Sequence, residues 1–86
     1  MAESAKLKKL CDCAQENRIM VVEVLKAGVL YTQLLSEFEL VFIRDSAYRY
    51  AKYSDQMTVS GDQLMVYLRM AKKLNLNVMF RPNVDD

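Results

Sequence analysis

Histidine is absent from the 86 residues, glycine occurs twice, proline once and cysteine twice. The missing imidazole removes the commonest general base and the commonest metal ligand. No pair of carboxylates sits in a conspicuously apolar setting, and there is no glycine-rich phosphate loop or metal constellation, so no reaction class has its residues. The chain is expected not to be an enzyme. Cys11 and Cys13 form a Cys-x-Cys pair. On a helix two such residues point apart, and a structural zinc would need two further ligands. They read as idle or buried thiols of a reducing compartment, the alternative being a half-site completed by a second chain. As a nucleophile either would need an activating base, and only lysines are at hand. No cofactor and no metal are expected.

Charge of one sign is lacking too. Twelve basic and eleven acidic side chains leave a net charge of +1. That balance argues against tight nonspecific nucleic-acid binding, which Lys and Arg carry by neutralising phosphates. Long apolar runs are absent: the stretch Ile19 to Val22 is far too short to span a bilayer. Basic residues do not gather along one amphipathic face either, so no membrane partner is expected. The opening Met1-Ala2-Glu3-Ser4 is polar and does not resemble a signal peptide. An intracellular setting is expected.

What remains is apolar and helical. Residues in the apolar classes make up 52% of the chain, a high share for one domain over residues 1–86. A domain of this size buries only about 60–65% of the surface its unfolded form exposes. A partner that completes the burial is therefore expected. Ser4 is a candidate cap for a first helix with Leu7, Leu10, Cys11 and Ala14 along its stripe. The polar Gln15 to Arg18 would break it. The β-branched run Ile19 to Leu25 fits an extended connection or a new helix, and Gly28 marks a turn or a close backbone contact. Ser60 is a plausible N-cap for a helix from about Asp62 to Leu74, with Leu64, Leu68, Ala71 and Leu74 along its stripe. Asn75 and Asn77 can end it. Val78 to Phe80 would make a short strand or extended tail, stopped by Pro82.

Between these lies the most informative segment. Leu40, Ile43, Ala47, Tyr50, Ala51 and Ser54 step by three and four along one helical face. Phe38, Val41, Phe42 and Tyr48 lie off that face, so the helix is apolar nearly all round. Such a helix is expected to be sandwiched, or half covered by its own chain and half by a partner.

From Ile43 through Thr58-Val59-Ser60-Gly61-Asp62 to Leu68 the chain resembles the second half of the histone fold, as found in core histones, histone-like transcription-factor subunits and small centromere proteins. Ala47, Ala51, Thr58, Val59, Asp62, Leu64 and Leu68 fall on the family's positions without a gap. The resemblance covers roughly a third of the chain. It implies an all-α histone fold, with a long central helix flanked by shorter helices and paired with a second subunit or with itself as a homodimer. The implied partner interface is Phe38, Phe42, Ile43, Ala47, Tyr50, Ala51, Thr58, Val59, Leu64 and Leu68. Thr58 and Val59 would bridge to the partner's first loop. The loop before them, Ser54-Asp55-Gln56-Met57, lacks the basic character of nucleosomal histones, which favours an assembly subunit of a chromatin or transcription complex over a DNA packager. The first half of the chain departs from the family pattern.

A second resemblance, to helix-turn-helix repressors of phage type and bacterial antitoxins, rests on Tyr31-Thr32-Gln33 and on Arg44 to Tyr50. It implies DNA contacts from Tyr48, Arg49 and Lys52. Against it, bulky Val41 and Phe42 stand where that turn wants a small residue. The histone resemblance implies a nuclear setting, the repressor one a cytoplasmic setting.

Overall fold

Two serines start the two later helices, each with a complete capping box. Ser36 Oγ accepts from the Glu39 N–H at 3.2 Å while Glu39 Oε1 accepts from the Ser36 N–H at 2.8 Å. Ser60 and Gln63 repeat the exchange at 3.1 and 2.9 Å. Both boxes satisfy orphan amides that would otherwise fray a helix start. The computed structural model describes residues 7–81. In chain order the elements are β1 (Leu7–Lys9), α1 (Gln15–Leu30), α2 (Glu37–Tyr53), β2 (Thr58–Ser60) and α3 (Gly61–Lys73), with short 3₁₀ turns at Leu10–Asp12, Thr32–Leu34 and Ser54–Gln56.

The molecule is mostly helical, as expected, and carries a small two-stranded sheet in addition. β1 and β2 pair antiparallel, Leu7 opposite Ser60, Lys8 opposite Val59 and Lys9 opposite Thr58. The Leu10 N–H extends the ladder to the Met57 carbonyl at 2.7 Å. A first helix through Leu7 and Leu10 is therefore not formed, and its proposed cap, Ser4, lies outside the described residues. Gln15 to Arg18 open a helix instead of ending one. The run from Ile19 to Leu25 is the body of α1, where Met20, Val21, Val24 and Leu25 recur at helical spacing and are buried. Burial of that stripe outweighs the modest helix aversion of β-branched residues.

α1 packs against both α2 and α3. Met20, Val21, Val24, Ile43, Val59, Leu64, Tyr67 and Met70 form the centre, all 2% exposed or less. The close approach of α1 to α2 falls at Gly28, where a Cβ would lie 2.9 Å from Ile43 Cδ1. α2 ends at Tyr53, and Ser54 turns the chain with φ at 53°, so Ser54 leaves the stripe expected of it. α3 ends in a Schellman motif. The Leu76 N–H reaches the Ala71 carbonyl and the Asn75 N–H the Lys72 carbonyl, with Asn75 at φ 59°. Asn is the residue after Gly that best tolerates this left-handed position.

The segment that follows is extended without being a strand. Leu76, Val78 and Phe80 pack against the core while Met79 between them is 71% exposed. It is held by Asn17, whose Oδ1 accepts from the Arg81 N–H at 2.8 Å and whose Nδ2 donates to the Arg81 carbonyl at 2.7 Å. Pro82, expected to stop a strand here, lies outside the described residues.

Candidate interaction surface

α2 has two different sides. Inward, Ile43 and Ser46 are buried, and Leu40, Phe42, Ala47 and Tyr50 pack partly against the core. Phe42 meets Tyr67 of α3 edge-on, with centroids 4.9 Å apart. Burial pushes the Tyr67 phenol above its ordinary pKa, and a hydrogen bond with Ser46 offsets part of that rise. The inner side is thus closed by the chain itself.

Outward, the helix carries large apolar groups as well as charges. Phe38 is 63% exposed, Val41 62% and Tyr48 64%. With Ala51, also exposed, they fall within about 140° of arc at roughly 100° per residue. Phe38 stacks on Phe42 at 6.2 Å, joining the outer side to the inner one. Exposed Glu37, Arg44, Asp45 and Lys52 lie among them on the same arc. Lys52 Nζ lies over the Tyr48 and Tyr53 rings, 5.8 and 5.5 Å from their centroids, at cation–π distance. Leu34, also exposed, precedes the helix in the turn before it. A single exposed leucine needs no explanation, but a row of large apolar groups along one helix does.

The residues expected at a partner interface divide accordingly. Phe38 and Ala51 face outward, whereas Phe42, Ala47 and Tyr50 are half-buried against the chain's own core. Ile43 and Leu64 belong to the chain's own core, as does Val59, and Leu68 packs against that core. Thr58 and Val59 pair with Lys9 and Lys8 of the same chain. The ladder expected with a partner's loop is therefore filled from within. Val41, Glu37, Arg44 and Asp45 are the outward residues that the resemblance does not point to. A signal for Val41 exists in the apolar set off the main face, because one helix side needs only one apolar stripe.

The residues expected at DNA differ in their freedom. Tyr48 and Lys52 are exposed. Arg49 is engaged within the chain: Nη2 donates to the Thr58 carbonyl at 2.7 Å and Nη1 to Asp45 Oδ2 at 3.2 Å. Its guanidinium fastens β2 to α2.

Cys11 is partly exposed, and its sulfur accepts from Gln56 Nε2 at 3.6 Å; Cys13 is buried. Among the described residues no group of three or more His, Cys, Asp or Glu could hold a metal ion. No helix there is long and apolar enough to cross a membrane. No protein-family model matches the chain, and no curated protein or solved structure matches it.

Proposed function

We propose that this chain is a non-catalytic assembly module that lays the outer side of α2 against a helical partner. The observation that carries the reading is the row Phe38, Val41 and Tyr48, exposed on a helix whose opposite side packs on α1 and meets α3 through Phe42 against Tyr67. Desolvating these three side chains supplies the drive for association, at about 25 cal/mol per Å² of apolar surface covered. The order of three helices, with α2 the longest and Thr58–Val59 before the last, supports a histone-fold type of subunit. A chromatin or transcription complex is then its setting, and a second such subunit or a second copy its partner. With β2 paired internally, the partner is met through α2 and not through the Thr58–Val59 connection.

The repressor reading receives less support. Arg49, its central base-reading residue, is held by Thr58 and Asp45, and the net charge of +1 supplies little phosphate affinity.

A photo-crosslinking residue placed at Val41, with a control at exposed Lys26 on α1, tests the proposal in cells that express the chain. The expected result is one discrete protein adduct from position 41 that disappears when Tyr48→Asp is added. Equal labelling from both positions, or none from either, would reject the α2 surface as a docking site.

A further inference from the structure

We infer that the extended segment after α3 is an edge at which two copies of this chain pair, strand against strand and antiparallel, about a two-fold axis at Met79.

The segment has the alternation of a β-strand and no strand beside it. Leu76, Val78 and Phe80 pack on the core, while Asn77, Met79 and Arg81 are exposed. In an extended chain the N–H and C=O of successive residues point to opposite edges. Both main-chain groups of Arg81 meet Asn17 of α1. Those of Val78 and Phe80 therefore lie on the edge away from Asn17. Among the described residues nothing donates to or accepts from the main chain of Asn77 through Phe80. Buried main-chain groups are nearly always paired, so the unpaired ones of Val78 and Phe80 mark an edge open to water. Such an edge is a template for a further strand.

The neighbours of this edge select one register for a second copy. An antiparallel two-fold sets each residue opposite the one equally far beyond the axis, with both side chains on the same face. Centred on Val78, the pairing would bring Phe80 opposite Leu76, whose N–H is already given to the Ala71 carbonyl. Centred on Phe80, it would bring Val78 opposite Pro82, which has no N–H. Centred on Met79, Val78 of each copy meets Phe80 of the other, and the four free donors and four free acceptors form four hydrogen bonds. The side chains agree with that register. Val78 and Phe80 meet on the core face. On the outer face Met79, 71% exposed, meets its own counterpart, and Arg81 meets Asn77, so no like charges are opposed. Pairing uses up the edge, and assembly stops at two copies.

So short a ladder covers less than the roughly 1,200 Å² of a stable interface. The dimer is therefore expected to form weakly and to dissociate on dilution.

Sedimentation equilibrium on the full chain tests this, with Met79→Lys, Met79→Glu and their equal mixture, and circular dichroism to verify folding. The wild type should show a monomer–dimer equilibrium. Each variant alone sets two like charges face to face and should weaken association by about fivefold. The mixture pairs lysine with glutamate and should associate more tightly than either component by a similar factor. Amide exchange supplies a second readout. As the wild type is concentrated, the Val78 and Phe80 amides should slow while that of Met79, on the other edge, does not. A wild type that stays monomeric at millimolar concentration would overturn the inference and leave the edge to a strand of another protein. A mixture no stronger than its components would overturn it too, as would association without protection at Val78 and Phe80. The crosslinker at Val41 reports on α2 alone, so the two proposals stand or fall separately.

Discussion

Asn17 and Arg81, 64 positions apart, are joined by two hydrogen bonds in which the side-chain amide of one imitates the backbone of a neighbouring strand for the other. Asn17 is fully buried, so its donor and acceptor have no water to fall back on. Asn17→Ala is expected to destabilise the protein by about 2 kcal/mol, from two lost bonds and the stranded Arg81 groups. Asn17→Asp keeps the acceptor for the Arg81 N–H but loses the donor and buries a charge, and should be no milder. Urea denaturation measures both. Amide exchange at Arg81 should accelerate in each variant by more than the loss of global stability explains, while exchange at Val24 follows that loss.

Gly28 and Ile43 set the distance between α1 and α2. Alanine at position 28 would favour the helix by about 1 kcal/mol in open space. Here its Cβ would press on Ile43, itself 1% exposed and unable to move outward. Gly28→Ala is expected to be net destabilising by about 1–2 kcal/mol. Ile43→Val removes Cδ1, the nearest atom, so the double variant should be more stable than the sum of the two single effects by at least about 0.5 kcal/mol. Thermal melts of the four proteins complete the cycle. Strict additivity would place the strain elsewhere.

Glu39 joins α2 to the end of α3 through Lys73 Nζ at 2.7 Å, in addition to capping α2. The hydrogen bond from Lys73 and the Ser36 N–H hold its carboxyl below the ordinary carboxylate pKa. The folded state thus prefers the ionised form. Its contribution is present in full above the unfolded value of about 4.3 and is lost as pH falls through the lower folded value. Stability measured from about pH 7 down to about pH 3 should fall less steeply for Glu39→Gln than for the wild type. Lys73 is 42% exposed, so the Lys73→Ala change should cost no more than about 1 kcal/mol.

Arg49→Ala should destabilise the fold by about 1–2 kcal/mol, since it strands the Thr58 carbonyl and frees Asp45. Lysine at this position can serve one of the two acceptors but not both in the same geometry, so Arg49→Lys should fall between alanine and wild type. Melting curves decide the order. Any loss of DNA affinity in an Arg49 variant would have to exceed this structural effect before it spoke for base recognition.

The later half of the chain is the more legible in sequence. Ser60, the helix after it and the stripe through Leu64, Leu68 and Ala71 follow local rules of capping and periodicity, and the structure has them with Ser60 as the cap and the last turn at Lys73. The doubly apolar character of α2 is equally readable from Phe38, Val41 and Phe42. The first half misleads for a physical reason. Leu7 to Lys9 are strand only because Thr58 to Ser60 lie beside them, and no local pattern in three residues announces a partner so far along the chain. Asn17 reads as polar punctuation because its partners are backbone groups at Arg81, which carry no sequence signal at all.

The small ladder has an expected consequence for the order of events during folding. It joins two three-residue segments across roughly fifty residues of intervening chain, and so short a ladder repays the entropy of that closure poorly on its own. α1 and α2 lie inside that loop and can dock first, with Gly28 against Ile43 as the contact that brings the two ends near. β1 should therefore zip late and open early, so that substitutions at Lys8 change the unfolding rate while those at Val24 or Ile43 change the folding rate.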